Sequence, residues 1–449
     1  MELKFVMPGL VPGIHVSWQH TKKDVDGRDK PTAVRFDFCG QGAWRGFFCV
    51  LSASHTFETP KEVRAMRHQN SVFHSLTKHI PWTRFDQIVE KYGADEFARK
   101  LTTKRQFIAL LYGQLSGSTS LREVVTGMAS HETRLYHVGA TPVKRSTMSD
   151  ANSKRPWQVF SELFAQMLPQ AHRGLRRTTA DAVRLIDSTS VRLSSLSEGW
   201  ATFSTDVFGA KVHIVYDPNA DRPVYFAVTP AKVNDITAAK AMPIEPGATY
   251  VYDLGYYDYG WWAGLDEAGC RFVTRLKKNT PFRVVEENRV PKNSNIVSDR
   301  IGHLPARLAN SRKNPLQVPV REIGVIIESG RQLRIVTNDL DAPAEQIAEL
   351  YKQRWQIELF FRWVKQTLRI KHFIGVSENA VRIQIVIALI AFLILRMAQL
   401  AQTAIHSPLE FARLVRTNLM HRRPLNHLLE PLQPIPIHAD QLKFGLYFQ

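Results

Sequence analysis

The alternation of apolar and polar residues changes period twice along this 449-residue chain. From 66 to about 180 the period is helical. Phe85, Ile88, Val89 and Tyr92 recur at spacings of three and four, and so do Phe107, Leu110 and Leu111, which puts each set on one helix face. Ser120 with Glu123 three positions on is a capping box that opens a further helix. Near Val183 the period shortens to that of strands, and β-rich runs follow at 183–193, 207–216, 224–228, 249–253 and 271–276. Asp217, Pro218, Asn219 and Asp221 supply the turn between the second and third. Three strands in close succession predict an antiparallel meander, and a helix over 235–242 then leads to a buried strand.

This order is that of an RNase-H-like α/β sheet. The segment 281–338 is irregular, strand-prone and basic, and interrupts the α/β pattern as an insertion. Asp341 then caps a long helix with Pro343 in its first turn. A second helix carries the apolar run 385–395, bounded by Gln384 and Arg396. A bilayer span needs ~20 such residues, so this run predicts a buried core helix. The tail from Ser407, with Arg422, Arg423, Pro424 and further prolines, is expected to pack loosely on the surface. Residues 1–65 hold no persistent period. Pro8-Gly9 and Pro12-Gly13 punctuate them, and they read as an irregular extension ahead of a natural start at Met66. If so, a chain lacking 1–65 folds and acts normally. The expected organisation is that extension, a helical domain at 66–180, a catalytic α/β domain at 181–405 and a tail at 406–449.

Charge narrows the class of partner. Lys and Arg number 59 against 41 Asp and Glu, a net charge of +18, which favours a polyanionic partner. Within 66–180 the basic excess is 17 to 8, as expected of a domain that binds DNA ends, although a helical scaffold with a solvated basic face fits equally well. The three cysteines, Cys39, Cys49 and Cys270, form no CxxC pair and match no zinc-finger spacing. Neither a disulfide framework nor a structural zinc site is therefore supported, which fits a reducing cytoplasm. No apolar signal-peptide core begins the chain.

The candidate chemistry is carboxylate-based. Tyr351, Arg354, Glu358 and Lys365 are spaced by three, four and seven, and at ~100° per residue they share an arc of ~60°. Beside them runs an apolar stripe of Leu350, Ile357, Phe361, Val364 and Leu368 that can dock the helix on a sheet. The bland alternative is an Arg354–Glu358 surface pair worth ~0.3–0.5 kcal/mol. Asp187 follows the apolar run Leu185-Ile186, and Asp253 follows Tyr250-Val251-Tyr252. Apolar strands seldom bury an unpaired acid, because desolvation is costly. Two divalent ions offset that cost, with Glu358 as the third carboxylate and Arg354 and Lys365 meeting phosphate.

With these residues the chain resembles the bacterial insertion-sequence transposases that pair a DDE triad with a Tyr-x2-Arg-x3-Glu-x6-Lys motif. That motif stands here as Tyr351, Arg354, Glu358 and Lys365. The family's Asp-x-Gly-Tyr/Phe motif stands as Asp253, Gly255 and Tyr256, and Asp187 matches the first Asp. The resemblance, over roughly 66–405, implies Asp187, Asp253 and Glu358 as catalytic metal ligands and two Mg²⁺ or Mn²⁺ ions. It implies cleavage and strand transfer at double-stranded terminal inverted repeats, insertion into target DNA, and a homodimer in a synaptic complex. It also implies a cytoplasmic, nucleoid-associated protein with no membrane partner. One departure stands out. Relatives stack a flipped base on a tryptophan of the insertion, and 281–338 has none. Trp261 and Trp262 either serve instead or pack in the core. Lys211 and His213 share a strand face and could approach DNA or metal, while Asn234 and Asp235 precede a helix that Asp235 is expected to cap. Competing functions are a structure-specific nuclease on the same fold and an inactive DNA-binding derivative. No RNA-recognition aromatic motif is present.

Overall fold

The computed structural model describes residues 70–169, 182–290, 292, 294–307, 313–368 and 373–430, plus the backbone of the paired two-residue strands Ile14–His15 and Asp37–Phe38. The chain divides into two compact units, Met1–Arg67 and His68–Gln449. Apart from that strand pair, the extension expected over 1–65 lies outside the described residues, and the second unit is the subject below.

Its first layer is helical: α1 (Val72–Thr77), α2 (Trp82–Lys91), α3 (Thr103–Ser116), α4 (Leu121–Ser130), α5 (Arg145–Lys154) and α6 (Gln158–Met167). The Thr102 hydroxyl caps α3, and Gly117, at φ 77°, ends it in a left-handed conformation that a side chain would resist. At α4 the capping box is displaced by one residue. The Ser120 hydroxyl accepts the Glu123 N–H at 3.2 Å, but the Glu123 carboxylate accepts from the N–H of Thr119 at 2.8 Å.

A ten-stranded mixed sheet follows. Its strands are β1 (Val183–Arg192), β2 (Thr202–Ser204), β3 (Val207–Asp217), β4 (Arg222–Pro230), β5 (Thr249–Val251), β6 (Arg271–Arg275), β7 (Arg283–Glu287), β8 (Ile296–His303), β9 (Val320–Ile326) and β10 (Gln332–Thr337). Leaving out the three-residue β2, the first five lie in the order β4-β3-β1-β5-β6, with β1, β3 and β4 antiparallel and β1, β5 and β6 parallel. That is the RNase-H-like sheet. Helix α7 (Asp235–Lys240) precedes β5, and α8 (Tyr259–Glu267) connects β5 to β6.

The segment 281–338 is more regular than its sequence suggests. Strand β10 pairs antiparallel with β6, Ile335 opposite Arg275, and β9, β8 and β7 continue outward as a meander, so the insertion enlarges the same sheet. Buried charge hid the alternation. Arg321 and Asp299 pair at 2.6 Å while 6% and 3% exposed, and Glu322, 1% exposed, pairs with Arg334 and Arg300.

The expected long helix is two helices, α9 (Ala344–Gln353) and α10 (Trp355–Thr367), that meet at Arg354. There the Arg354 N–H bonds the Tyr351 carbonyl and the Ile357 N–H bonds the Arg354 carbonyl, both at 3.2 Å, tightening the turn to three residues. Asp341 is not the cap. The N-cap position falls on Pro343, and Asp339 accepts the N–H groups of Asp341 and Ala342 at 3.2 and 3.0 Å.

The apolar run belongs to α11 (Glu378–Leu400), which is 23 residues long. It is long and apolar enough to cross a membrane, but 83% of its apolar window is buried inside the fold against α3, α5 and α6. The tail does not begin loosely: α12 (Pro408–Asn418) buries Phe411, Ala412 and Val415 and packs on α3, α10 and α11. Alternation along the sheet separates two cores. Leu185, Ile214 and Val251 face the helical layer, whereas Ile186, Val215, Tyr250 and Tyr252 face α8 and its aromatic residues.

Candidate active site

The register of β1 and β5 sets the first two acids. Leu185 pairs with Val251, and Asp187 and Asp253 each lie two residues further along, Asp187 in the middle of β1 and Asp253 just past the carboxyl end of β5. Both share the strand face of Leu185 and Val251, which looks toward the helical layer. Helix α10 packs on β1 and brings Glu358 to the same place. Phe360 anchors it, its ring 5.0 Å from Tyr216 of the sheet and 5.0 Å from Phe392 of α11. An open cleft of ≈350 Å³ results, lined among others by Asp187, Ser188, Glu358, Arg362 and Lys365.

Each carboxylate is held differently. Asp187 accepts the Ser188 N–H at 2.7 Å. Burial pushes its pKa up to about 6 despite that bond; Asp253 and Glu358 raise it further, against Arg354. Asp253 leaves its strand as an N-cap and accepts the Gly255 N–H at 2.8 Å. A side chain at Gly255 would stand 3.0 Å from Asp253 Oδ1 and 3.4 Å from Asp235 Oδ2, which explains the glycine of the Asp-x-Gly pattern. Glu358 accepts from Arg354 Nη2 at 2.7 Å, and Arg354 Nη1 lies 3.9 Å from Asp187 Oδ2. Burial alone would lower the Arg354 pKa, but Tyr351, Glu358 and Asp187 together raise it. The guanidinium is thus the cation between two of the three acids. Tyr351 is 8% exposed, and the Arg354 guanidinium sits 5.9 Å from its ring centre, so this ring supports Arg354 and is not presented to DNA.

The secondary candidates divide. Asn234, not Asp235, is the N-cap residue of α7. Asp235 instead accepts from Ser188 Oγ at 2.7 Å and Lys211 Nζ at 3.2 Å. His213 Nε2 shares a 2.8 Å hydrogen bond with Thr229, and its buried Nδ1 lies 3.8 Å from Asp235; burial lowers its pKa to about 4, so it is neutral. Lys211, His213 and Asp235 therefore form a network behind Ser188. Trp261 and Trp262 are 5% and 0% exposed, and the Trp262 indole donates to the Tyr256 carbonyl at 3.1 Å. Both are core residues, out of reach of a flipped base.

Two residues of the cleft escaped the sequence reading. Arg362 is one turn from Glu358 and three residues from Lys365, a spacing that could have revealed it. Ser188 links Asp187 to Asp235 and carried no signal beyond its neighbour. As for a divalent ion, an all-carboxylate donor set suits a hard cation such as Mg²⁺. A buried carboxyl with a raised pKa, flanked by two more acids and an arginine, is a place where added positive charge is favourable. Among the described residues no three His, Cys, Asp or Glu side chains converge on one point, so waters and substrate oxygens would complete any ion's shell. The residues fit on those terms.

An RNase-H-like sheet with one acid within its central strand, a second just past the neighbouring strand and a third on a helix packed against them defines an enzyme class that cuts and joins polynucleotides. Residues 178–394 match the family described as Transposase DDE domain, and residues 68–141 match a domain of unknown function, DUF4372. A protein of Sinorhizobium fredii named as transposase y4zB is 40% identical over 291 residues, which is 65% of this chain and 82% of that one. A protein of Geobacillus stearothermophilus, named as a transposase for insertion sequence element IS5377, is 28% identical over 72% of this chain and 85% of its own length. The transposase for insertion sequence element IS231B of Bacillus thuringiensis is 22% identical over 71% and 77%. The piggyBac transposase, solved as a synaptic complex with hairpin DNA, superposes with a TM-score of 0.39 at 11% identity, covering 84% of this chain and 83% of that one. The chain belongs to the bacterial insertion-sequence DDE transposases.

Proposed function

We propose that this transposase cleaves DNA at the terminal inverted repeats of its element and joins the freed ends to target DNA, with Asp187, Asp253 and Glu358 as the catalytic triad. The observation that carries this is the neighbourhood of these three acids, Asp187 within β1, Asp253 just past β5 and Glu358 on α10, where Asp253 and Glu358 both act on the Asp187 carboxyl. The three carboxylates would hold two Mg²⁺ or Mn²⁺ ions. Bound there, the ions would supply activation of a water or 3′-hydroxyl nucleophile and stabilisation of the leaving oxygen at phosphorus. Arg354 holds Glu358 and balances charge beside Asp187. Lys365 and Arg362, on the same cleft, are positioned to take phosphate oxygens, the arginine as a fork and the lysine as a point charge. Lys211 and Asp235 fix Ser188, whose N–H orients Asp187. The basic helical layer binds the repeat ends, and two copies act in one synaptic complex.

The test uses a labelled duplex carrying the DNA that flanks the gene. Wild type cuts it in Mg²⁺, and the pre-cut product joins to a plasmid. Asp253→Asn and Glu358→Gln each reduce cutting at least 100-fold while still binding the duplex. Cutting that survives either change overturns the triad. Cutting without joining favours a structure-specific nuclease.

A further inference from the structure

The loop between α2 and α3 carries Phe97, which at 92% exposure is the most exposed large apolar side chain among the described residues. The loop is pinned. Thr103 donates its N–H and hydroxyl to Asp95 at 2.6 and 2.8 Å, and Arg105 donates to the Lys100 carbonyl at 2.8 Å. A ring held out by a fixed loop is presented to solvent, at the cost of ~2 kcal/mol or so that burying a phenylalanine would return. Phe97 stands over a cleft of ≈600 Å³ between this loop and α5, lined also by Arg99, Lys100, Lys144 and Lys154 with one acid, Asp150. A fifth cation of the cleft, Arg155, pairs with Asp95 at 3.6 Å, while the four named form no ion pair with another described residue.

We propose that this cleft is a second DNA site, in which Arg99, Lys100, Lys144 and Lys154 follow the phosphate backbone and Phe97 stacks on an unpaired base. Clustered cations give the backbone contact, and one aromatic face among them gives a platform for any base, since every base has a π face. A duplex with fully stacked bases offers Phe97 nothing, so the cleft prefers a strand that is open or frayed. Trp261 and Trp262 are buried and 281–338 lacks tryptophan; Tyr136, Phe203 and Trp355 are also exposed, but none of them lines this cationic cleft. The proposal rests on the chain acting on DNA. It concerns the helical layer, partly within the domain of unknown function and partly beyond it, not the triad.

The experiment measures anisotropy of the full chain, in EDTA, with a random-sequence 30-nucleotide single strand and the matching duplex from 50 to 300 mM KCl. Phe97→Ala weakens single-strand binding ~5- to 100-fold, with the salt slope kept and duplex binding within twofold. Replacing Arg99, Lys100, Lys144 and Lys154 by glutamine flattens the log–log salt slope by roughly 3, at ~0.7 per phosphate on a single strand. All five residues are exposed, and a thermal melt within 2 °C (roughly a kcal/mol in a chain this long) confirms folding. Unchanged single-strand affinity in Phe97→Ala, or an unchanged slope in the glutamine variant, overturns the site. Because binding is read without metal, that failure leaves the triad untouched. Failure of the triad shows instead as cutting by Asp253→Asn.

Discussion

Replacing Asp187 with asparagine should abolish cleavage and yet stabilise the metal-free protein. In the fold this carboxyl titrates at about 6 against an ordinary 3.8, chiefly because burial penalises its charged form. A raised carboxyl pKa means that the folded state holds a proton the unfolded chain has released. Stability is therefore lost as pH rises from about 4 to about 6, and the whole penalty remains at pH 8. About two pKa units at ~1.4 kcal/mol each gives an upper bound near 3 kcal/mol. The side chain is 19% exposed, so solvent screening reduces this to ~1–3 kcal/mol. Asparagine keeps the size, and its carbonyl oxygen can still accept the Ser188 N–H, so packing changes little. Urea denaturation in EDTA at pH 4, 5, 6 and 8 reads the difference: the variant gains on wild type up to a little above pH 6 and then holds a constant lead. Mg²⁺ reverses the order, since an ion at 100 times its dissociation constant adds ~2.7 kcal/mol to a protein that binds it. Parallel pH curves, or a variant less stable than wild type at pH 8 without metal, would refute the reasoning.

Other changes separate positioning from chemistry. Gly255→Ala forces a methyl to 3.0 Å from the Asp253 carboxylate, so cleavage should fall ~10-fold or more with a melting change under ~1 kcal/mol, read by cutting rate and thermal melt. Asp235→Asn leaves the Lys211 charge uncompensated behind Ser188 and should slow cutting more than it weakens duplex binding; equal losses in both would argue against an orienting role. Arg321→Ala strands the buried Asp299 carboxylate and removes a donor to the Leu340 carbonyl ahead of α9. It should cost ~3–5 kcal/mol in denaturant titration, and a cost below 1 kcal/mol would contradict the buried pair.

Much of the sheet is legible in the sequence because its strands obey period two and end at evident turns. Runs at 183–193, 207–216 and 271–276 match β1, β3 and β6 to within a residue. The convergence of Asp187 and Asp253 is less visible, since it depends on the parallel pairing of Leu185 with Val251, which no local pattern encodes. The insertion was obscured by paired charges, Arg321 with Asp299 and Arg334 with Glu322, that occupy strand positions a one-sequence reading assigns to water. On the Glu358 helix, spacing alone put Tyr351, Arg354, Glu358 and Lys365 on one face. It could not show that the turn tightens at Arg354, nor that Tyr351 is buried beneath the guanidinium. Asp235 looked like a helix cap because Asp before a helix usually is one; here the cap position is taken by Asn234, and the carboxylate turns toward β1.

The most direct test of metal ligation by the triad is a change of metal preference. Asp253→Cys replaces a hard oxygen donor by a softer sulfur, which disfavours Mg²⁺ far more than Mn²⁺. With the labelled flanking-DNA duplex, this variant should be inactive in Mg²⁺ and recover cutting in Mn²⁺, while wild type works in both. A cysteine variant that cuts equally well in Mg²⁺, or that Mn²⁺ fails to restore although it folds and binds the duplex, would contradict Asp253 as a metal ligand.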